Sequence, residues 1–149
     1  MREFHWQVRA RAVDRGLADI YVRQHRYRVG VPVQFDANYA EITALEYVLG
    51  AVAAEVLNGF RSEARKGRLA VDAAEAHLTG ELNNALTYLG VVGEEGHPGI
   101  ERIELKLFVS SAAPEQALRR AWEDALERLP VVRALRRAVS LKLDMEIVL

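Results

Sequence analysis

The stretch Thr43-Ala44-Leu45-Glu46-Tyr47-Val48-Leu49-Gly50-Ala51-Val52-Ala53-Ala54-Glu55 decides how this chain is organised. Leu45, Val48, Leu49 and Val52, followed by Val56 and Phe60, recur at the three- and four-residue steps of one helical face. The pattern predicts a long helix over about residues 41–66, stopped by Gly67. Asn38, or Thr43 for a later start, can cap it, with Glu41 and Glu46 near the positive end of its dipole. Gly50 and Gly59 each weaken such a helix by about 1 kcal/mol against alanine. Small residues there, with Ala51 and Ala54, point to close packing against another helix.

Upstream, residues 4–34 read as a β-hairpin region. The alternating segments 6–13 and 18–23 flank Asp14-Arg15-Gly16, which is turn chemistry, and a third short strand over 27–31 precedes Pro32. Downstream, residues 70–149 read as strand, irregular segment, strand, helix and strand. The first strand covers about 70–82, and a glycine-rich connection with Gly90, Gly93, Gly96 and Gly99 follows it. Residues 103–109 alternate as a half-buried strand should. Leu118, Ala121, Trp122, Ala125 and Leu126 define an amphipathic helix with Pro114 at its start and Pro130 at its end. Residues 139–147 alternate again as a closing strand. Strands, then helix, then strands and helix place the chain in the α+β class.

The composition narrows the function. At 149 residues the chain matches a single domain, 1–149, with one core or one shared with a partner. Half the residues are apolar and 28% charged, the balance of a folded soluble protein. A net charge of −1 gives no global attraction to nucleic acid or to an anionic membrane, so neither is expected as a partner. The first residues lack the apolar run of a secretory signal, and no stretch approaches a membrane span, which makes a cytoplasmic location the expectation. The chain contains no cysteine, so thiolate attack and disulfide formation are chemically absent.

The opening stretch resembles the central-helix signature of the OsmC/Ohr superfamily (osmotically induced / organic hydroperoxide resistance). That signature reads roughly Ser/Thr-Pro-x-Glu-Tyr-Leu-Leu-Ala/Gly-Ala-Leu-Ala/Gly-Ala-Cys. Its terminal cysteine attacks peroxide, and Glu55 stands in its place. Glu127-Arg128-Leu129-Pro130-Val131-Val132-Arg133-Ala134-Leu135 resembles the family's Cys-Pro-Val-x-x-x-Leu element, with Leu129 at the resolving cysteine. Gly80-Glu81-Leu82 and Ile100-Glu101-Arg102-Ile103 resemble its recurrent strand ends, so the likeness spans about residues 18–149. The resemblance implies an intertwined homodimer with antiparallel sheets around a long central helix and two sites at the interface. It also implies that Glu46 helps hold an arginine, for which Arg15 and Arg23 are the open choices. The usual proline is Ala44 here.

Two candidate catalytic residues follow, Glu46 and Glu55. Glu55 lies at the margin of the apolar stripe, and its neighbours one turn away, Ala51, Val52, Asn58 and Gly59, offer no cation. A carboxylate in an apolar pocket is what general acid or base catalysis uses. A solvated or salt-bridged glutamate is the commoner occupant of a helix margin, and for Glu46 electrostatics at the helix start is an equal reading. His5, His25, His77 and His97 show no ligand spacing, so no metal and no cofactor is expected. No serine stands in a nucleophile elbow, and the glycines at 90–99 do not lead into a helix as a phosphate loop would. The basic and aromatic run 21–28 reads as an exposed polar strand rather than a single-strand-binding face, and Arg133, Arg136 and Arg137 as a solvated turn.

The resulting expectation is an OsmC-like homodimer without thiol peroxidase activity. Val48, Val52, Glu55 and Leu129 would border an interface pocket for a small apolar molecule. The alternatives are a non-redox enzyme using Glu55 as acid or base, and a stress-response protein by family resemblance.

Overall fold

Strand alternation in the N-terminal region becomes an antiparallel sheet of β1 (Arg9–Val13), β2 (Leu17–Val22) and β3 (His25–Val29), in that order. The computed structural model describes residues 4–148, and the chain forms two compact units, residues 1–50 and 51–149. In the first unit, Asp14–Gly16 turns the chain between β1 and β2, with Arg15 and Gly16 at φ 62° and 75°. The two-residue turn before β3 likewise uses a left-handed residue, Arg23 at φ 52°.

Period-two geometry sorts this sheet into two faces. Ala10, Ile20 and Tyr27 are cross-strand partners on one face. Tyr27 packs at 5.2 Å, ring centre to ring centre, against Tyr47, whose hydroxyl donates to the Arg28 carbonyl at 2.8 Å. The other face carries Arg9, Arg11, Asp19, Tyr21, Arg26 and Arg28. Segment 30–43 then returns along the unit, Gly30 N–H donating to the Ile42 carbonyl and Ala44 N–H to that of Val31.

Helix α1 (Ala44–Lys66) begins three residues later than its apolar stripe predicts. Thr43 and Glu46 explain the start, because they form a reciprocal capping box. The Thr43 hydroxyl accepts from Glu46 N–H at 3.1 Å, and one Glu46 oxygen accepts from Thr43 N–H and its hydroxyl at 3.0 and 2.9 Å.

In the second unit, Val52, Val56, Phe60 and Ala64 recur at four-residue steps of α1 and are fully buried. Val56, Phe60 and Ala64 pack with alternating residues of a second sheet, formed by β4 (Ala73–Leu82), β5 (Ile100–Ser110) and β6 (Ser140–Val148) with β5 central. Leu105, Leu107 and Val109 point from β5 into this core. The short α2 (Ala85–Tyr88), which Asn84 caps, lies in the connection read from sequence as irregular. Helix α3 (Glu115–Arg128) adds Leu118, Ala121, Trp122 and Leu126, with Trp122 edge-on to Phe60 at 6.3 Å. Its Arg119 donates to the Met145 carbonyl at 2.8 Å, tying α3 to β6.

The structure corrects one topological expectation. β4 runs antiparallel to β5, but β6 runs parallel to it, so the second sheet is mixed. A parallel neighbour requires a crossover, and α3 with α4 (Pro130–Leu135) supplies it. Pro130 ends α3 as expected and also opens α4 at its first turn, where its missing N–H costs nothing. No helix among the described residues is long and apolar enough to cross a membrane.

Candidate functional site

The N-terminus of α4 determines what surrounds Glu55. A helix start leaves backbone N–H groups without partners inside the helix, and the residue before it normally supplies an accepting side chain. Here that residue is Leu129, which has no acceptor. Pro130 has no N–H, so the amides in need are those of Val131 and Val132. Glu55 meets both. Its Oε2 accepts from Val131 N–H at 3.0 Å, and its Oε1 from Val132 N–H at 2.9 Å. A carboxylate 76 residues upstream therefore caps α4, placing negative charge at the positive end of that helix.

Leu129 sits beside this clamp with 8% of its surface exposed. It nests over Gly59, one turn beyond Glu55. A Cβ on Gly59 would stand 2.6 Å from a Leu129 methyl, so glycine is what lets the two elements approach. The positions where the resemblance places two sulfur atoms thus hold an acid that binds backbone and an aliphatic side chain that fills core. Val132 is fully buried and Val131 is 36% exposed, so one of the two captured amides lies in the interior.

The other sequence candidates fall elsewhere. Glu46 is engaged by Thr43, whose backbone N–H and then hydroxyl hold the Glu46 carboxyl below its ordinary range. No arginine among the described residues forms an ion pair with it; Arg15 and Arg23 occupy exposed turns. Val52 is fully buried, and Val48 is 42% exposed. His77 accompanies Glu75 at 2.9 Å and sits edge-on to Phe108 at 5.3 Å. Among the described residues no group of three or more His, Asp or Glu is placed to hold a metal. An open groove of about 960 Å³ runs between the end of α1 and the start of α3, lined in part by Glu63, Lys66, Leu69, Arg119 and Arg120. Neither Glu55 nor Leu129 borders it.

Two parts of this site have no side-chain signature in the sequence. The partners of Glu55 are main-chain amides, and the close approach at Gly59 appears only as a glycine in a helix. Glu55 as held here is a structural acceptor. Acting as a mobile acid or base would require it to leave α4.

The family profile described as OsmC-like protein matches residues 36–144. No curated protein matches the chain. Among solved structures, an OsmC-like protein from Mycoplasma pneumoniae superposes with a TM-score of 0.81 at 14% identity, covering 99% of this chain and 100% of that one. An organic hydroperoxide resistance protein OsmC from Legionella pneumophila gives 0.70 at 12% identity, covering 98% and 99%. The organic hydroperoxide resistance protein OhrB of Bacillus subtilis gives 0.60 at 17%, covering 96% and 98%. These likenesses establish a shared fold, and the profile spans well over half the chain, so the protein belongs to the OsmC-like family.

Proposed function

We propose that this protein is a cytoplasmic OsmC-family homodimer that performs no thiol peroxidase chemistry and holds a small apolar molecule between its subunits. The observation that carries the first part is the clamp at Glu55. The thiol position is filled by a carboxylate whose two oxygens already accept from α4, and the chain has no cysteine to replace it. The same commitment of both oxygens speaks against an acid or base role. Organic hydroperoxide resistance, named for the Legionella and Bacillus relatives, offers a stress-related setting for the role.

Exposed apolar surface supports the dimer and the ligand. Phe4, Trp6 and Val8 are 77%, 84% and 64% exposed and continue the alternation of Ala10 and Ala12. An exposed apolar run of this kind marks a surface for association. On α1, Gly50, Ala51 and Ala54 are exposed as well, and small residues allow a second helix to approach closely.

Native mass spectrometry of gently purified protein tests the assembly, with a dimer carrying additional small-molecule mass as the expected result. A bare monomer would overturn both the dimer and its ligand site. Incubation with an organic hydroperoxide and a dithiol tests the chemistry. The expected result is consumption equal to a heat-inactivated control, and turnover above that control would overturn the non-peroxidase reading.

A further inference from the structure

Charge is unevenly placed along this chain. Residues 1–30 carry seven basic against three acidic side chains, whereas residues 31–149 carry thirteen against eighteen. A segment of net +4 is therefore part of a chain of net −1. All seven of those cations are arginine, and the first lysine is Lys66.

Strand register gathers the excess on one face of the N-terminal sheet. Arg9, Tyr21 and Arg26 form one cross-strand row, and Arg11, Asp19 and Arg28 form the next. Strand spacing and rise put the four arginine backbones at the corners of a patch about 10 Å across the strands and about 7 Å along them. The opposite face is the apolar one that meets Tyr47, so the arginine face points away from it.

Two of the four arginines are fixed. Arg28 donates to Asp19 through Nε at 2.9 Å and Nη2 at 3.4 Å, over a carboxylate only 7% exposed. Arg9 lies over the Tyr21 ring at 4.2 Å. Arg11 and Arg26 are exposed and have no ion-pair partner among the described residues; they act on Asp19 only through longer-range attraction. One carboxylate among four guanidinium groups leaves a charge of +3. Like charges gathered on one face repel one another, and the second sheet avoids this by pairing Arg102 with Glu81 and Lys106 with Glu146 on its exposed face. In the N-terminal sheet Asp19, with a longer-range contribution from Glu41, offsets Arg28, and Arg9, Arg11 and Arg26 have no carboxylate paired with them among the described residues.

We propose that this face binds an oligophosphate, free or carried by a nucleotide, gripped by Arg11 and Arg26 and flanked by the pre-positioned Arg9 and Arg28. Guanidinium forks match phosphate oxygens in pairs, as ammonium groups do not. A compact polyanion matches the charge of +3 within the patch, which a single carboxylate cannot. A single nucleic-acid strand needs stacking platforms along a groove. Tyr21 is the one aromatic ring on this face, and Arg9 covers it.

Isothermal titration of the full-length protein at low ionic strength, with tripolyphosphate and separately with adenosine triphosphate, tests this. The expected result is saturable binding that weakens with added salt. Arg11→Ser and Arg26→Ser should each weaken it about tenfold, with unchanged thermal midpoints, while Arg102→Ser leaves it intact. Equal affinities would assign the site to the phosphate chain itself, and tighter nucleotide binding would name the nucleotide as its source. Should the variant that combines Arg11→Ser with Arg26→Ser not fold, arginine Nε NMR shifts confined to Arg9, Arg11, Arg26 and Arg28 on titrating the wild type provide the same support. Absence of saturation at millimolar ligand, undiminished binding in the double variant, or tighter binding of a single-stranded oligonucleotide than of tripolyphosphate would overturn the proposal.

Discussion

Replacing Glu55 by alanine removes the only acceptor described for the Val131 and Val132 amides. Hydrogen bonds to a charged group contribute about 1.5–3 kcal/mol each, and a buried amide left without a partner costs about 1–3 kcal/mol. The two amides are not equal, because Val132 is fully buried while Val131 is 36% exposed and can turn to water. About 2 kcal/mol for the first and about 1 kcal/mol for the second give a loss of about 3 kcal/mol. For a chain of this length that lowers the thermal midpoint by about 10 °C. Glu55→Gln should lose roughly half as much, since its amide oxygen can accept from one N–H while its NH2 confronts the other. Circular dichroism melts measure the loss, and amide exchange locates it: Val132 should lose protection in Glu55→Ala while Leu107 in β5 keeps it until global unfolding. A Glu55→Ala midpoint within 2 °C of wild type, with Val132 still protected, would refute the capping argument.

Other consequences are equally direct. Gly59→Ala gains about 1 kcal/mol of helix propensity but drives a Cβ into Leu129, and overpacking costs about 1–3 kcal/mol, so a net loss of about 1 kcal/mol is expected in chemical denaturation. In a Leu129→Ala background the same change should stabilise; an identical effect in both backgrounds would show that Leu129 is not the obstacle. Asp19 is held below its ordinary value, first by the Arg28 hydrogen bond and then by its attraction and that of Arg26 and Arg11, against the opposing effect of burial. Its contribution is therefore present above pH about 4 and is lost as pH falls through the lower folded value. Asp19→Asn should flatten stability against pH on that acid limb, and an unchanged slope would count against the pair. Ala54→Glu places a charge on the exposed small-residue face of α1, and native mass spectrometry should then show a shift from dimer to monomer; an undisturbed dimer would exclude that face from the interface.

The helix stripe and the alternation of residues 103–109 and 139–147 were legible because burial on one face imposes a period on sequence. Their relative direction was not, since Leu141, Leu143 and Met145 alternate identically in a parallel or an antiparallel neighbour. Helices α2 and α4, at four and six residues, are too short to show a helical period, and Pro130 reads equally as an end and a beginning. The start of α1 was visible in the Thr43 to Glu46 spacing, which outweighs the more distant Asn38. Glu55 was identifiable as an exception by its position in the family signature. Its partners were not, because backbone amides are the same in every residue and only the fold brings residues 131 and 132 to it.

The parallel pairing of β6 with β5 has a consequence during synthesis. β5 is complete at Ser110, yet its second neighbour is not made until residue 148. At about 5–20 residues per second, the intervening 38 residues take about 2–8 s. Until β6 joins, a β4–β5 pair presents one open edge of an eleven-residue strand whose Ile103, Leu105, Leu107 and Val109 belong in the core. Released chains truncated after Leu135 should aggregate or recruit chaperones more than chains that include β6. The speed with which β6 reaches β5 thus sets how long that edge stays open to other chains.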